Sequence, residues 1–295
     1  MQNIIISDTD SLYICLGPIL EHMRSQGIEI NEANKNEIIL KLANQIQIEA
    51  NENLGELCKS TFNIEPKTHY FQLKQEVIAQ SVLVTGKRRY AMYVTNKEGV
   101  PVEEVDMKGL ELMKSNMNKR FKKFGEDFIR NLLLGKSKAE IDQSIIDFKQ
   151  SLKTLDPREL GKPTGVKNIT HYIERRAGET EIFSRTVKGA PINSKSAIIY
   201  NDLLKFKKLD KKYESIIAGD KIYIINLKDN PYRAETIGLP LSNVPQEIDD
   251  FVKEYINIDE IFESLLLNKL QSLYRDINWS FPSLNEHISK FFTFS

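Results

Sequence analysis

The chain has 295 residues, enough for two or three domains and at least one sizeable core. Its 41 Lys and Arg balance 41 Asp and Glu, so net charge points to no polyanionic partner and only local clustering can. The apolar stretches are too short to span a bilayer, the first residues do not read as a signal peptide, and Cys15 and Cys58, without CxxC spacing, argue against a disulfide framework or a zinc site. The expectation is a reducing cytoplasm, no membrane, and both cysteines as small core residues.

Residues 4–16 read as strand, turn, strand: β-branched "IIIS", then "DTD", then the alternating "SLYICL". Gly17-Pro18 breaks the pattern. From about Asn31 to Phe62 apolar residues recur at helical spacing: Ile38, Ile39, Leu42, Ile46, Ala50, Leu54 and Leu57. Residues 69–95 return to strand character around the turn "TGK", and "TNKEGVPVEE" reads as a loop. Beyond 107 the chain is helical in period, with Gly135 and Asp156-Pro157 as breaks. Residues 159–190 are irregular and rich in Gly, Lys and Arg. A helix at "SAIIYNDLLKFKKL", a strand and turn at "DKIYIINLKDNPY", and helices over 245–274 follow. The fold class is α+β, with an α+β domain over 1–106, a mostly helical domain over 107–284, and a tail over 285–295.

Four stretches carry candidate chemistry. Asp8 and Asp10 stand at i and i+2, so their carboxylates share a face and converge when the turn tightens. Close carboxylates repel unless a cation sits between them, and hard oxygen ligands suit Mg²⁺. Taken alone, DTD is also an ordinary surface turn. Lys87, Arg88, Arg89 and Tyr90 place three cations and an aromatic in a row. On a strand, Lys87 and Arg89 face one way, Arg88 and Tyr90 the other, one set for phosphate and one for sugar or groove. KRR alone usually marks an exposed basic strand end. Residues 158–195 gather Arg158, Lys162, Lys167, Arg175, Arg176, Arg185, Lys188 and Lys195, a surface suited to phosphate neutralisation, with Gly189 allowing close backbone approach. "KFKKLDKKYE" mixes cations with core-spaced Phe206 and Leu209 and reads as a solvated helix face. In the tail "NEHISKFFTFS", Ile288 is followed three and four residues later by Phe291 and Phe292, which form one plug for a partner's pocket when that segment makes a single helical turn, with Asn285 upstream and Phe294 a third aromatic. The alternative is a terminus packed on its own domain. The four histidines show no ligand spacing.

The ordered set resembles the C-terminal part of family-B DNA polymerases of the large tailed-phage type. "SDTDSL" resembles that family's YGDTDS metal-binding hairpin, with Ser7 where Gly is usual, and "TGKRRY" resembles its primer-contacting KKRY segment. "LKQEVIAQ" resembles the strand whose glutamate, Glu76 here, lies beside the metals. "DMKGLE" resembles the K-G-x-E element at the palm–thumb junction, here Lys108, Gly109 and Glu111. "TVKGAPINSKSAIIYN", with Lys188, Gly189 and Lys195, resembles the duplex-gripping thumb, and the tail resembles a sliding-clamp binding peptide in which Asn285 replaces Gln.

The resemblance implies a partial antiparallel palm sheet followed by a thumb. It also implies two-Mg²⁺ nucleotidyl transfer from dNTP onto a primer–template, with Asp10 the essential ligand and Asp8 accessory. The chain contains no D-x-x-S-L-Y-P stretch and no K-x-x-x-N-S-x-Y-G stretch. The expectation is therefore one subunit of a split polymerase, with both ions shared with an N-terminal chain that carries exonuclease, fingers and the rest of the palm, in the host cytoplasm if viral. Met1, just ahead of the hairpin, fits a gene that begins inside the palm and also fits a cloned fragment. A non-enzymatic primer–template and clamp binding module, or an inactive fragment, are the other readings.

Overall fold

Side chains on a strand that cannot bury both faces must find cover elsewhere, and the two ends of this chain solve that differently. In the computed structural model the described residues are 4–8, 11–31, 33–66, 68, 70–110, 117–173 and 189–284, with the backbone alone for Asp8. The fold is α+β, with helices and three separate sheets, ordered β1-β2, β3-β4-β5 and β6-β7-β8. The chain divides into two compact units, Met1–Ile78 with Thr95–Val102, and Ala79–Val94 with Glu103–Ser295. This division does not fall at 106/107. Leu83, Ala91, Tyr93, Val105 and Met107 of the middle sheet join the same apolar cluster as the helices that follow.

In the first unit, β1 (Ile4–Asp8) pairs antiparallel with β2 (Ser11–Ile14), Ser7 opposite Leu12 and Asp8 opposite Ser11. This is the strand–turn–strand expected of 4–16. Gly17-Pro18 is the start of α1 (Gly17–Ser25) rather than a break, because a first-turn proline sacrifices an N–H that has no helical partner anyway. Helix α2 (Lys35–Phe62) begins a turn later than its apolar spacing suggests. Asn31 accepts hydrogen bonds from the N–H groups of Ala33 and Asn34 and holds that stretch as a turn. Asn63, at φ 53°, ends the helix. Of α2, only Gly55 and Cys58 are buried. The core expectation thus holds for Cys58 and is corrected for Cys15, which is exposed just past the end of β2.

Residues 70–76 are not strand. Side chains of α2 take their backbone groups: the Asn51 amide donates to the Leu73 carbonyl and its oxygen accepts the Leu73 N–H, both at 2.8 Å, while Gln47 accepts the Gln75 N–H at 2.7 Å.

The middle sheet is a meander of β3 (Val77–Gly86), β4 (Arg89–Lys97) and β5 (Val100–Lys108). The segment read as a Gly/Pro loop is therefore corrected to a tight turn and a third strand. Glu98 and Gly99 both have positive φ, 50° and 87°, the geometry that matches strand twist in a two-residue hairpin. Pro101 is tolerated because β5 is an edge strand.

The second unit holds most of the buried apolar side chains. Helix α3 (Lys119–Leu133) is capped by Asn118, whose oxygen accepts the Arg120 N–H and whose amide donates to the Gly161 carbonyl at 3.1 Å. A capping box of Ser137 and Glu140 opens α4 (Lys138–Ser151). Phe124 and Phe148 stack at 4.1 Å between these two helices. After the short α5 (Pro157–Leu160), β6 (Lys162–Gly165), β7 (Lys221–Asn226) and β8 (Thr236–Pro240) form an antiparallel sheet. β6 lies where irregular chain was expected, a strand of only four residues, and β8 lies in a stretch given no element, its strand signal blunted by Gly238 in mid-strand.

Helix α6 (Ile192–Phe206) lies on this sheet, and Gly238 permits the approach. A Cβ there would sit 2.7 Å from Ile222 Cδ1 and 3.2 Å from the α6 backbone. Helices α7 (Gln246–Tyr255), α8 (Ile258–Phe262) and α9 (Asn268–Asp276), with a π-helical turn at Glu263–Leu267, fill the expected 245–274 region. No helix among the described residues is long and apolar enough to cross a membrane.

Candidate nucleic-acid interface

Strand β3 stops at Gly86 and β4 starts at Arg89, so Lys87 and Arg88 make the connecting turn. This corrects the expectation of an alternating strand across Lys87–Tyr90. Arg88 sits at φ 58°, a left-handed conformation that a two-residue connection imposes and that glycine or asparagine usually takes. Lys87, Arg88 and Arg89 are exposed, while Tyr90 turns inward and is buried. The Arg89 guanidinium folds back across the turn, close enough that a Cβ on Gly86 would lie 2.8 Å from its Nη2.

The end of β5 meets this turn. The Lys108 ammonium lies over the Tyr90 ring, 5.8 Å from its centroid, a cation–π distance. Gly109 follows at φ 67°, and a Cβ added there would overlap the Arg88 carbonyl oxygen and approach Arg89 Cγ at 3.0 Å. Two segments read as separate motifs, Lys87–Tyr90 and Lys108-Gly109, are therefore one surface. The sequence did hold a signal for this. A two-residue turn at Glu98-Gly99 between two nine-residue strands brings Lys108 back beside the start of β4.

Four cations and one aromatic thus share a small patch, and among the described residues Lys87 and Arg89 have no carboxylate within ion-pair distance. Exposed cations such as Lys87 and Arg89 attract anions, and a phosphodiester backbone supplies anions at regular spacing.

The other candidate residues are placed as follows. Asp8 ends β1 opposite Ser11; Asp10 lies outside the described residues. The β1-β2 hairpin forms its own two-stranded sheet and does not extend the meander that Glu76 precedes. Glu76 is exposed and its carbonyl accepts the Glu98 N–H at 2.7 Å. Carboxylates at 8 and 10 have the donor chemistry Mg²⁺ prefers, and among the described residues no group of three His, Cys, Asp or Glu converges as a metal site.

Glu111, Arg175, Arg176, Arg185 and Lys188 lie outside the described residues, as do Asn285, Ile288, Phe291, Phe292 and Phe294 of the tail. Gly189 has φ 87°, and among the described residues no atom lies within 4 Å of where a Cβ would stand. Lys195 is in an ion pair with Glu235 at 2.6 Å, and that ammonium holds the Glu235 carboxyl below the usual range. Arg158 is likewise engaged by Asp156, at 2.6 Å.

No protein-family model matches the chain, and no curated protein matches it.

Proposed function

We propose that this chain is the C-terminal part of a family-B DNA polymerase, the end of the palm plus the thumb. It acts with a polypeptide that supplies exonuclease, fingers and the remaining palm strand. The observation that carries the reading is the convergence of Lys87, Arg88, Arg89 and Tyr90 with Lys108 and Gly109 on one surface. In the polymerase reading the exposed cations of this surface, Lys87, Arg88, Arg89 and Lys108, track the primer–template backbone, with Tyr90 buried beneath them. The Tyr90–Lys108 stack braces a cation that would otherwise wander, and the backbone at Gly109 fixes the turn that carries the other three.

Catalysis in this reading needs two Mg²⁺ ions, which polarise the primer hydroxyl and stabilise the leaving pyrophosphate. Asp10 and Asp8 would hold them together with a carboxylate of the partner polypeptide. Unit 1 also leaves Ile4, Ile5, Leu12, Leu57, Phe62 and Phe71 each about half exposed or more. Exposed apolar side chains on a hairpin strand suit a protein partner that completes a sheet. The tail over 285–295 would dock in a sliding clamp.

Primer extension tests the proposal, with the chain alone, a candidate N-terminal polypeptide alone, and both together. Extension only in the mixture, abolished by Asp10→Asn with duplex binding retained, is the expected result. Extension that survives Asp10→Asn removes the metal assignment. Duplex and clamp binding without extension in any mixture makes the chain a binding module instead.

A further inference from the structure

Beyond the turn at Lys87–Tyr90, a second cationic surface sits at the far end of α6. Over "KFKKLDKK" five lysines, 205, 207, 208, 211 and 212, accompany a single aspartate. Four of the five are exposed and Lys207 is half-buried. None forms an ion pair with a carboxylate of the described residues, although the chain as a whole has as many acids as bases. Attraction to the negative end of the α6 dipole accounts for cations within the last turn and fades beyond it. That covers Lys205 and Lys207, and Lys212 lies over the Tyr213 ring, 5.4 Å from its centroid, which leaves Lys208 and Lys211, both beyond the helix.

The backbone adds a second observation. The N–H of Leu209 bonds the Leu204 carbonyl at 2.8 Å, closing a C-terminal cap in which Lys208 takes the left-handed position at φ 59°. Glycine is preferred there because any Cβ is strained. Arg233 occupies a left-handed position too, at φ 50°. Phe206, two residues before Lys208, is 53% exposed, and its ring stands edge-on to that of Tyr232, the chain neighbour of Arg233, at 5.7 Å.

We infer that Phe206, Lys208, Lys211 and Arg233 form a binding surface for single-stranded nucleic acid, the cations tracking phosphates while Phe206 stacks on a base. A braced, exposed aromatic among unpaired lysines is the combination that single strands select. A duplex offers no free base face to Phe206, and a lipid surface would want an apolar face broader than one ring. The surface is independent of the polymerase reading, whose decisive residues are Asp10 and the Lys87–Tyr90 turn.

The test is fluorescence anisotropy of a short labelled oligothymidylate with the full chain across a salt series. Phe206→Ala should weaken binding roughly ten-fold, and Phe206→Trp should restore it. Lys211→Ala should lower the slope of log affinity against log salt by about 0.7. Lys208→Gly should weaken oligonucleotide binding while raising the thermal unfolding midpoint, a pairing that misfolding cannot produce. Three outcomes overturn the inference: affinity unchanged by Phe206→Ala and Lys211→Ala; loss of binding in Lys87→Ala/Arg89→Ala alone; or a requirement for these lysines on phosphatidylserine vesicles but not on the oligonucleotide.

Discussion

Gly109 has no room for a side chain because the carbonyl oxygen of Arg88 occupies that space. The pair locks the end of β5 to the β3–β4 turn, and both residues hold positive φ. Gly109→Ala meets a conformational cost of about 1–2 kcal/mol for the left-handed backbone, with steric overlap in addition. The variant should unfold at lower urea and bind primer–template duplex more weakly. Unchanged duplex affinity in a folded Gly109→Ala chain would separate this lock from the binding surface.

The cations on that turn should report themselves through salt. Removing Lys87 and Arg89 together lowers the slope of log affinity for duplex against log salt by about 0.9 per lost phosphate contact. A slope that stays the same in Lys87→Ala/Arg89→Ala places the duplex elsewhere.

Tyr274 is buried and donates its hydroxyl to Asp142 at 2.6 Å, with Lys138 on the other carboxylate oxygen. Burial, then the hydrogen bond to Asp142 and the charge of that carboxylate, pushes the Tyr274 hydroxyl up. Tyr274→Phe leaves Asp142 short of a donor and should cost roughly 1.5–3 kcal/mol. The sign with pH follows from the raised value. The contribution is present below the unfolded tyrosine range near pH about 10 and is lost as pH rises above it. Wild type and Tyr274→Phe should thus converge in stability in alkaline urea titrations.

At the start of α4, Glu140 accepts hydrogen bonds from the Ser137 hydroxyl and N–H and from Lys136. These bonds, led by the Ser137 side chain, lower its carboxyl to about 2. A depressed carboxylate stabilises the fold above its unfolded value and loses that contribution as pH falls through the folded one. The stability gap between wild type and Glu140→Ala should be constant near neutrality and close between pH about 4.5 and 2. A gap independent of pH across that window would show that helix propensity, not the charged cap, carries the effect.

The lysine run on α6 shows where local reading stops. "KFKKLDKKYE" has the composition of a solvated helix face, and Leu209 does bury part of itself against the core. The helix ends at Phe206, however, and the lysines beyond it sit in a cap and turn whose geometry depends on Leu209 folding back to Leu204. Periodicity carries no information about where such a fold-back occurs.

What the residue order alone determined is local: the β1-β2 hairpin around Asp8, the long α2, the breaks at Gly135 and Asp156, and the C-terminal helices. Each rests on propensity, spacing or a capping residue within one or two turns of chain. The tertiary structure decided what depends on distant partners. Residues 70–76 lost their strand because α2 side chains took their hydrogen bonds. "VPVEEVDMK" became β5 because a two-residue turn gave it β4 to pair with. The Lys87–Tyr90 and Lys108-Gly109 segments became one surface only when that pairing returned Lys108 to Tyr90, since a hydrogen-bonded register, unlike a propensity, exists only between two strands.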